Sequence, residues 1–427
     1  MADQGGSQHG IARSSRVRTD EQKARDLERI AKYRALEDDV RARVAQGDYS
    51  LDLFQLTSKL LRLNPEYYTI WNARRRCLIS GLFSAPSAGC SCSTACSSTS
   101  RTATTTPYST SCSSSCSAAT RQDPRSLTAG RSGTTAETGP SDSSKPEDAA
   151  AAETHDLKLL KSELAFTIPL LLESPKCYWI WSYRLWLLQQ AISRLSIPVA
   201  RKIWEEELDL ASRMLIKDRR NFHAWGYRRH VVAQLESEAL RGGSMAETEF
   251  EYTQKMIGGD LSNFSAWHSR SKLIPRLLEE RRAGEGERRK VLDQELHQIH
   301  EALNVGPEDQ SLWYYHQFLV LNIVYPEKYP AMTAGFTVQD RVEYLTREID
   351  DIKELLEDYQ DVKLIYEGLF EYTLYLCELQ GRKPDEEERE NLVRWLEKLK
   401  QLDPMRNGRW MDLERECGLK DDSKPPS

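Results

Sequence analysis

Long apolar runs are missing from this chain of 427 residues. The longest, near Ala165 to Leu172, is interrupted by Thr167 and Pro169, and a bilayer asks for roughly 20 apolar residues in a row. The start, Met1 to Thr19, is a polar arm without the hydrophobic centre of a signal peptide. A soluble, cytoplasmic chain with no transmembrane segment is expected. An excess of one charge is missing too: 59 basic residues stand against 65 acidic ones, and no basic block stands out. That balance argues against a nucleic-acid partner. No run of alternating apolar and polar residues is long enough for a sheet.

Cysteine is present without a pattern. Five of nine (Cys90, Cys92, Cys96, Cys112, Cys116) crowd into one stretch that has no Cys-x-x-Cys pair and no histidine to complete a zinc site. Cys77, Cys177, Cys377 and Cys417 are scattered single thiols, which suit a reducing compartment. Neither a disulfide framework nor a metal site is expected in the chain.

What the sequence does have is a repeat. Trp71, Trp181, Trp225, Trp267 and Trp313 are each followed three residues later by a base: Arg74, Arg184, Arg228, Arg270 and His316. From Trp181 onward the steps are 44, 42 and 46 residues. Such a period means one helical hairpin per repeat, because neither helix of a hairpin buries its apolar stripe alone. The expected fold is all-α, a right-handed α-α superhelix.

The first step, 110 residues, breaks the rule. Ser84 to Ala149 holds no Ile, Val, Phe, Met or Trp, and its only Leu and only aromatic are Leu127 and Tyr108. So little apolar surface cannot offset the entropy of ordering, and residues 84–149 read as a disordered insertion. Removing its 66 residues restores a step of 44. A Ser/Thr/Cys-rich block inside a repeat is also what an intron read as coding sequence would leave.

The chain therefore divides into a polar arm (1–19), an N-terminal helix with the first hairpin (20–83), the insertion (84–149), the remaining hairpins (150–420) and a tail (421–427). Thr19 and Gln22 have capping-box form, and Leu27, Ile30, Tyr33, Leu36, Val40 and Val44 follow as a helical stripe ended by Gly47. Pro65 is expected to open the Trp71 helix. Two further hairpins are expected over Val338–Leu379 and Glu386–Glu416, the second with an echo of the repeat at Trp410.

The tryptophans read as core, filling the gap between layers. Each Arg lies on the same helix face, where it either stacks on a neighbouring indole or binds carbonyls at the next turn. One turn stands apart: Lys217-Asp218-Arg219-Arg220-Asn221-Phe222-His223 puts three cations before a helix N-terminus, whose free N–H groups and dipole suit an anion such as a diphosphate. A solvated basic turn is the plainer reading. His297 and His300, one helical turn apart, have a spacing compatible with metal but no third ligand in view. His230, His268 and His316 sit within Trp helices and read as packing or hydrogen-bonding residues.

The repeat Pro-x-(Asn)-x-x-x-Trp-x-x-Arg, at this period and five times over, resembles the α subunits of protein prenyltransferases. The likeness covers about Leu51 to His316 apart from the insertion. It implies a crescent of hairpins wrapped around a β subunit, which would hold the catalytic zinc and the isoprenoid cavity. No cofactor is then expected in this chain. Arg220-Asn221-Phe222-His223-Ala224-Trp225, where the shared CaaX-type subunit typically reads Lys-Asn-Tyr-x-Ala-Trp, is similar to the type II, Rab-specific group. So are His9-Gly10 and the basic residues Arg13 to Arg18. An end at Ser427 suggests a fungal-type form without extra C-terminal domains.

The resemblance implies transfer of geranylgeranyl from its diphosphate to C-terminal cysteines of Rab GTPases, with an escort protein as a further partner. Arg220 would contact the diphosphate, and Lys217, Arg219, Asn221, Phe222 and His223 would line the groove or subunit junction. The near rival is the shared α subunit for CaaX proteins; the rival of another class is a non-catalytic helical-repeat adaptor.

Overall fold

The computed structural model describes residues 19–85, 146–328 and 330–419, and every regular element among them is helical. Most of the insertion, the arm with His9-Gly10 and the tail lie outside the described residues. Helix α1 (Asp20–Ala45) starts with the expected capping box, Thr19 and Gln22 each accepting the other's backbone N–H. It stops at Gly47, whose φ of 74° favours glycine. Its stripe is only half used: Val40 is fully buried, whereas Leu27 and Ile30 are exposed. The neighbouring α2 has 13 residues against the 26 of α1, so it covers only half that length.

Seven helical hairpins follow among the described residues: α2 (Leu51–Leu63) with α3 (Tyr68–Cys77), α4 (Pro146–Glu173) with α5 (Tyr178–Arg194), α6 (Ile197–Lys217) with α7 (Phe222–Leu235), α8 (Ala246–Gly259) with α9 (Phe264–Glu280), α10 (Glu285–Val305) with α11 (Gln310–Val324), α13 (Val338–Asp358) with α14 (Lys363–Leu379), and α15 (Glu386–Leu402) with α16 (Asn407–Glu416). The short α12 (Pro330–Thr333) bridges the fifth and sixth. Layer upon layer, they share one continuous apolar core.

Two local expectations need correction. Pro65 does not open the Trp71 helix; it lies in the turn before α3, and its carbonyl is used by the indole. Nor does the insertion run to Ala149, since α4 already begins at Pro146. At the other edge Ser84 is tied down, its N–H donating to the Asp156 carboxylate at 2.8 Å.

Each repeated tryptophan is buried, between 0 and 6% exposed. Its indole N–H donates to the carbonyl six residues earlier: Pro65, Pro175, Arg219, Leu261 and Pro307, at 2.7–2.9 Å. The cap residue of the next layer reaches back to that same carbonyl: the Cys177 thiol to Pro65, the Asn221 amide to Pro175 and the Asn263 amide to Arg219. One carbonyl thus closes its own turn and holds the following layer. Apolar burial of each indole contributes perhaps ~2–3 kcal/mol.

The arginines do neither thing expected of them. Arg74, Arg184, Arg228 and Arg270 are buried and form two-pronged ion pairs with Glu163, Glu207, Glu249 and Glu295 on the first helix of the next hairpin. The remaining N–H groups return to the hairpin's own first helix, as Arg74 does to Thr57 and the Phe54 carbonyl. Where they stack, it is on rings such as Phe54 and Phe250, not on indoles. The reason is electrostatic: a buried guanidinium requires a counter-charge, which a ring or carbonyl lacks. A tyrosine two residues after the next tryptophan completes three of these joints: Tyr183, Tyr227 and Tyr315 donate to Glu163, Glu207 and Glu295. The same tyrosines pack on the preceding indoles, with Trp71–Tyr183, Trp181–Tyr227 and Trp267–Tyr315 centroids 4.5–4.9 Å apart. In the fourth layer that place is taken by Ser269, whose buried hydroxyl has no partner.

Candidate functional site

The first residue of each Trp helix is aromatic in four successive layers: Tyr68, Tyr178, Phe222 and Phe264. Tyr314, one turn into α11, takes up the row in the fifth. These five side chains are 49–66% exposed. They touch along the row through neighbours: Tyr68–Trp179 centroids are 4.6 Å apart, Tyr178–His223 6.4 Å and Phe264–Tyr314 6.1 Å. Single exposed aromatics are unremarked on protein surfaces, but four in register, continued by Tyr314, make a patch suited to another protein.

The basic turn lies beside this row, between α6 and α7. Lys217 is exposed at the end of α6. Arg219 is committed structurally: its guanidinium donates to the Gly259 carbonyl, and its own carbonyl accepts Trp225 and Asn263. Arg220 is 61% exposed at its side chain and pairs loosely with Asp260 at 3.5 Å. Asn221 does not line a groove. It is buried, caps α7 through the His223 and Ala224 N–H groups, and holds Pro175. Phe222 is the most exposed member of the row, and half-buried His223 stands between it and Tyr178.

Of the other histidines, His230 and His268 are held below the usual imidazole value by burial, His268 also by Lys272 and Arg229. His268 stacks on Phe264 and so belongs to the edge of the row. His300 does not join His297; it lies against Glu348, Asp351 and His316. The row is not among the residues expected from sequence apart from Phe222, although its signal is there: an aromatic three residues before each of the first four repeated tryptophans.

Residues 51–80, 160–191, 204–235 and 246–277 match the protein prenyltransferase alpha subunit repeat. Those segments fall on the first four hairpins. The chain is 26% identical over 413 residues to the geranylgeranyl transferase type-2 subunit alpha of Saccharomyces cerevisiae, a match covering 95% of this chain and 98% of that one. Against the Schizosaccharomyces pombe subunit of the same name it is 29% identical over 216 residues, covering 49% of this chain and 61% of that one. Against the Mus musculus subunit it is 30% identical over 312 residues, covering 71% and 41%. It thus spans less than two thirds of the last two relatives. Candida albicans protein geranylgeranyltransferase-I complexed with GGPP shares the fold, with a TM-score of 0.51 at 16% identity and 91% of each chain covered. Repeats in register with the hairpins, relatives of one name and a common fold agree: this chain belongs to the family of protein prenyltransferase α subunits.

Proposed function

We propose that the chain is the α subunit of a heterodimeric Rab geranylgeranyltransferase. In this reading the dimer transfers geranylgeranyl from its diphosphate to C-terminal cysteines of Rab GTPases presented by an escort protein. The observation that carries the partnership is the exposed aromatic row, Tyr68, Tyr178, Phe222, Phe264 and Tyr314, on a chain whose repeated arginines are spent holding layers together. The β subunit seats on that row. It supplies the zinc that lowers the pKa of the cysteine thiol, and the cavity for the prenyl chain.

The α chain then contributes scaffold and cations at the junction. Arg220 is the proposed diphosphate contact. Its pair with Asp260 is long and exposed, the kind worth less than about 1 kcal/mol, so a phosphate oxygen competes with it easily. Lys217 and His223 flank the same place, while Arg219 and Asn221 position the turn.

Co-expression with a type-2 β subunit tests this reading. Recovery of a heterodimer that modifies a Rab protein supports it. A heterodimer acting on CaaX peptides instead would favour the shared subunit, and no complex with either β subunit would favour an adaptor.

A further inference from the structure

The joint between the fifth and sixth hairpins departs from the four before it. The Arg position holds His316, the tyrosine position holds Gly368, and the position sixteen residues before the Arg, a serine hydroxyl that accepts from Arg74 and Arg228 in two other layers, holds His300. The carboxylate in register with the other four, Glu348, is fully buried. Both imidazoles converge on one of its oxygens: His300 Nε2 lies 2.8 Å and His316 Nε2 2.9 Å from Oε2. The second oxygen, Oε1, is buried and has no hydrogen-bond partner. Where each earlier joint sets a two-pronged guanidinium against its carboxylate, here Oε1 meets only the half-exposed Arg347, whose Nε is 3.9 Å away, beyond hydrogen-bond reach.

We propose that His300, His316 and Glu348 bind a zinc ion that clasps the fifth hairpin to the sixth. One donor atom from each residue lies within 4.8 Å of the other two, so an ion about 2.0–2.2 Å from each needs only small side-chain shifts. The outer ring nitrogens are oriented for it. His316 Nδ1 lies 2.9 Å from the Tyr372 hydroxyl, and His300 Nδ1 lies 3.4 Å from Asp351 Oδ2. Acceptors there fix the proton on Nδ1 and turn Nε2 inward as a ligand. Two imidazoles with one carboxylate suit zinc, whereas magnesium and calcium require oxygen donors throughout.

The way in is also present. His300 is partly exposed and borders an open cleft of about 370 Å³ that Glu301, Asp351, Glu354 and Asp358 make acidic. Water from that side completes the coordination. The ion takes over the charge of the absent guanidinium. At Gly368 a Cβ would meet the Trp313 ring at 3.0 Å, so the usual tyrosine would require the indole to shift. The chain, expected from sequence to hold no cofactor, gains a structural one in this proposal.

The test counts zinc per chain, after dialysis, in the full-length protein in whatever assembly it purifies. Three forms are compared: the native chain, His300→Gln, and His316→Arg, which recreates the ion pair of the other layers and so is expected to fold. The native chain should carry one equivalent more than either variant, any zinc in a partner being common to all three. A chelator should lower the melting temperature of the native chain and leave that of His316→Arg unmoved. Equal zinc counts in the native chain and His316→Arg would overturn the proposal and leave the triad a hydrogen-bonded substitute for arginine.

Discussion

At the scale of single residues, two kinds of cation are distinguished by burial. Arg270 is 4% exposed and bound at 2.6–2.7 Å to Glu295, so Arg270→Ala strands a buried carboxylate. We expect a loss of about 3–5 kcal/mol, read by urea denaturation, and a much smaller loss when Arg270→Met is combined with Glu295→Leu and Tyr315→Phe, which leaves neither the carboxylate nor the Tyr315 hydroxyl stranded. Arg220, exposed, should behave oppositely. Arg220→Ala should leave stability unchanged and slow single-turnover prenyl transfer by roughly 2–4 kcal/mol of transition-state stabilisation, as loss of an oxyanion donor does. Trp267→Ala completes the contrast, costing about 3–5 kcal/mol of stability, with any activity loss tracking the folded fraction. The tryptophan period was legible because one residue type recurs at a nearly fixed step. The arginine's partner was not, because its glutamate lies 89, 23, 21 and 25 residues away in successive layers and on another hairpin.

At the scale of elements, the Trp helices present one set of aromatics inward and another outward. Helical periodicity alone hides the second set. A residue three before a tryptophan shares its face, so Tyr178 and Phe222 look like core in sequence. They are exposed because each is the first residue of its helix, with no preceding turn to cover it. Replacing Tyr178 and Phe222 together by Ser should therefore leave the melting temperature of the chain alone unchanged. It should weaken heterodimer formation by at least about tenfold, since buried aromatic anchors at interfaces are worth roughly 2 kcal/mol or more. Sedimentation or calorimetric titration against the β subunit reads this directly; equal affinity would remove the row from the interface. Asn221 was legible as part of the repeat but not as a staple, because its acceptor, Pro175, lies one layer back.

At the scale of the whole molecule, a solenoid tolerates additions between its layers. The Ser84 side chain lies against the carbonyl of Ala152, six residues into α4 from Pro146, a helical rise of about 9 Å. A linker of about four to six residues spans that gap. Deleting residues 86–145 with such a linker should preserve folding, assembly and prenyl transfer, because loop closure costs little at this length. Deleting from Ser84 through Ala149 instead should cost stability, since it removes the Ser84–Asp156 bond and the first turn of α4. Circular dichroism melts of the two deletions separate these outcomes. The C-terminal edge read from composition, Ala149, overshoots the start of α4 at Pro146, because Pro146 to Ala149 have no apolar signature of their own.

The most direct test of the central claim is a reconstituted transfer assay: this chain, a type-2 β subunit, geranylgeranyl diphosphate, and a Rab protein with its escort protein. The account predicts Rab geranylgeranylation that requires both subunits and falls when Tyr178 and Phe222 are replaced. A stable, folded heterodimer that leaves the Rab cysteines unmodified would contradict it.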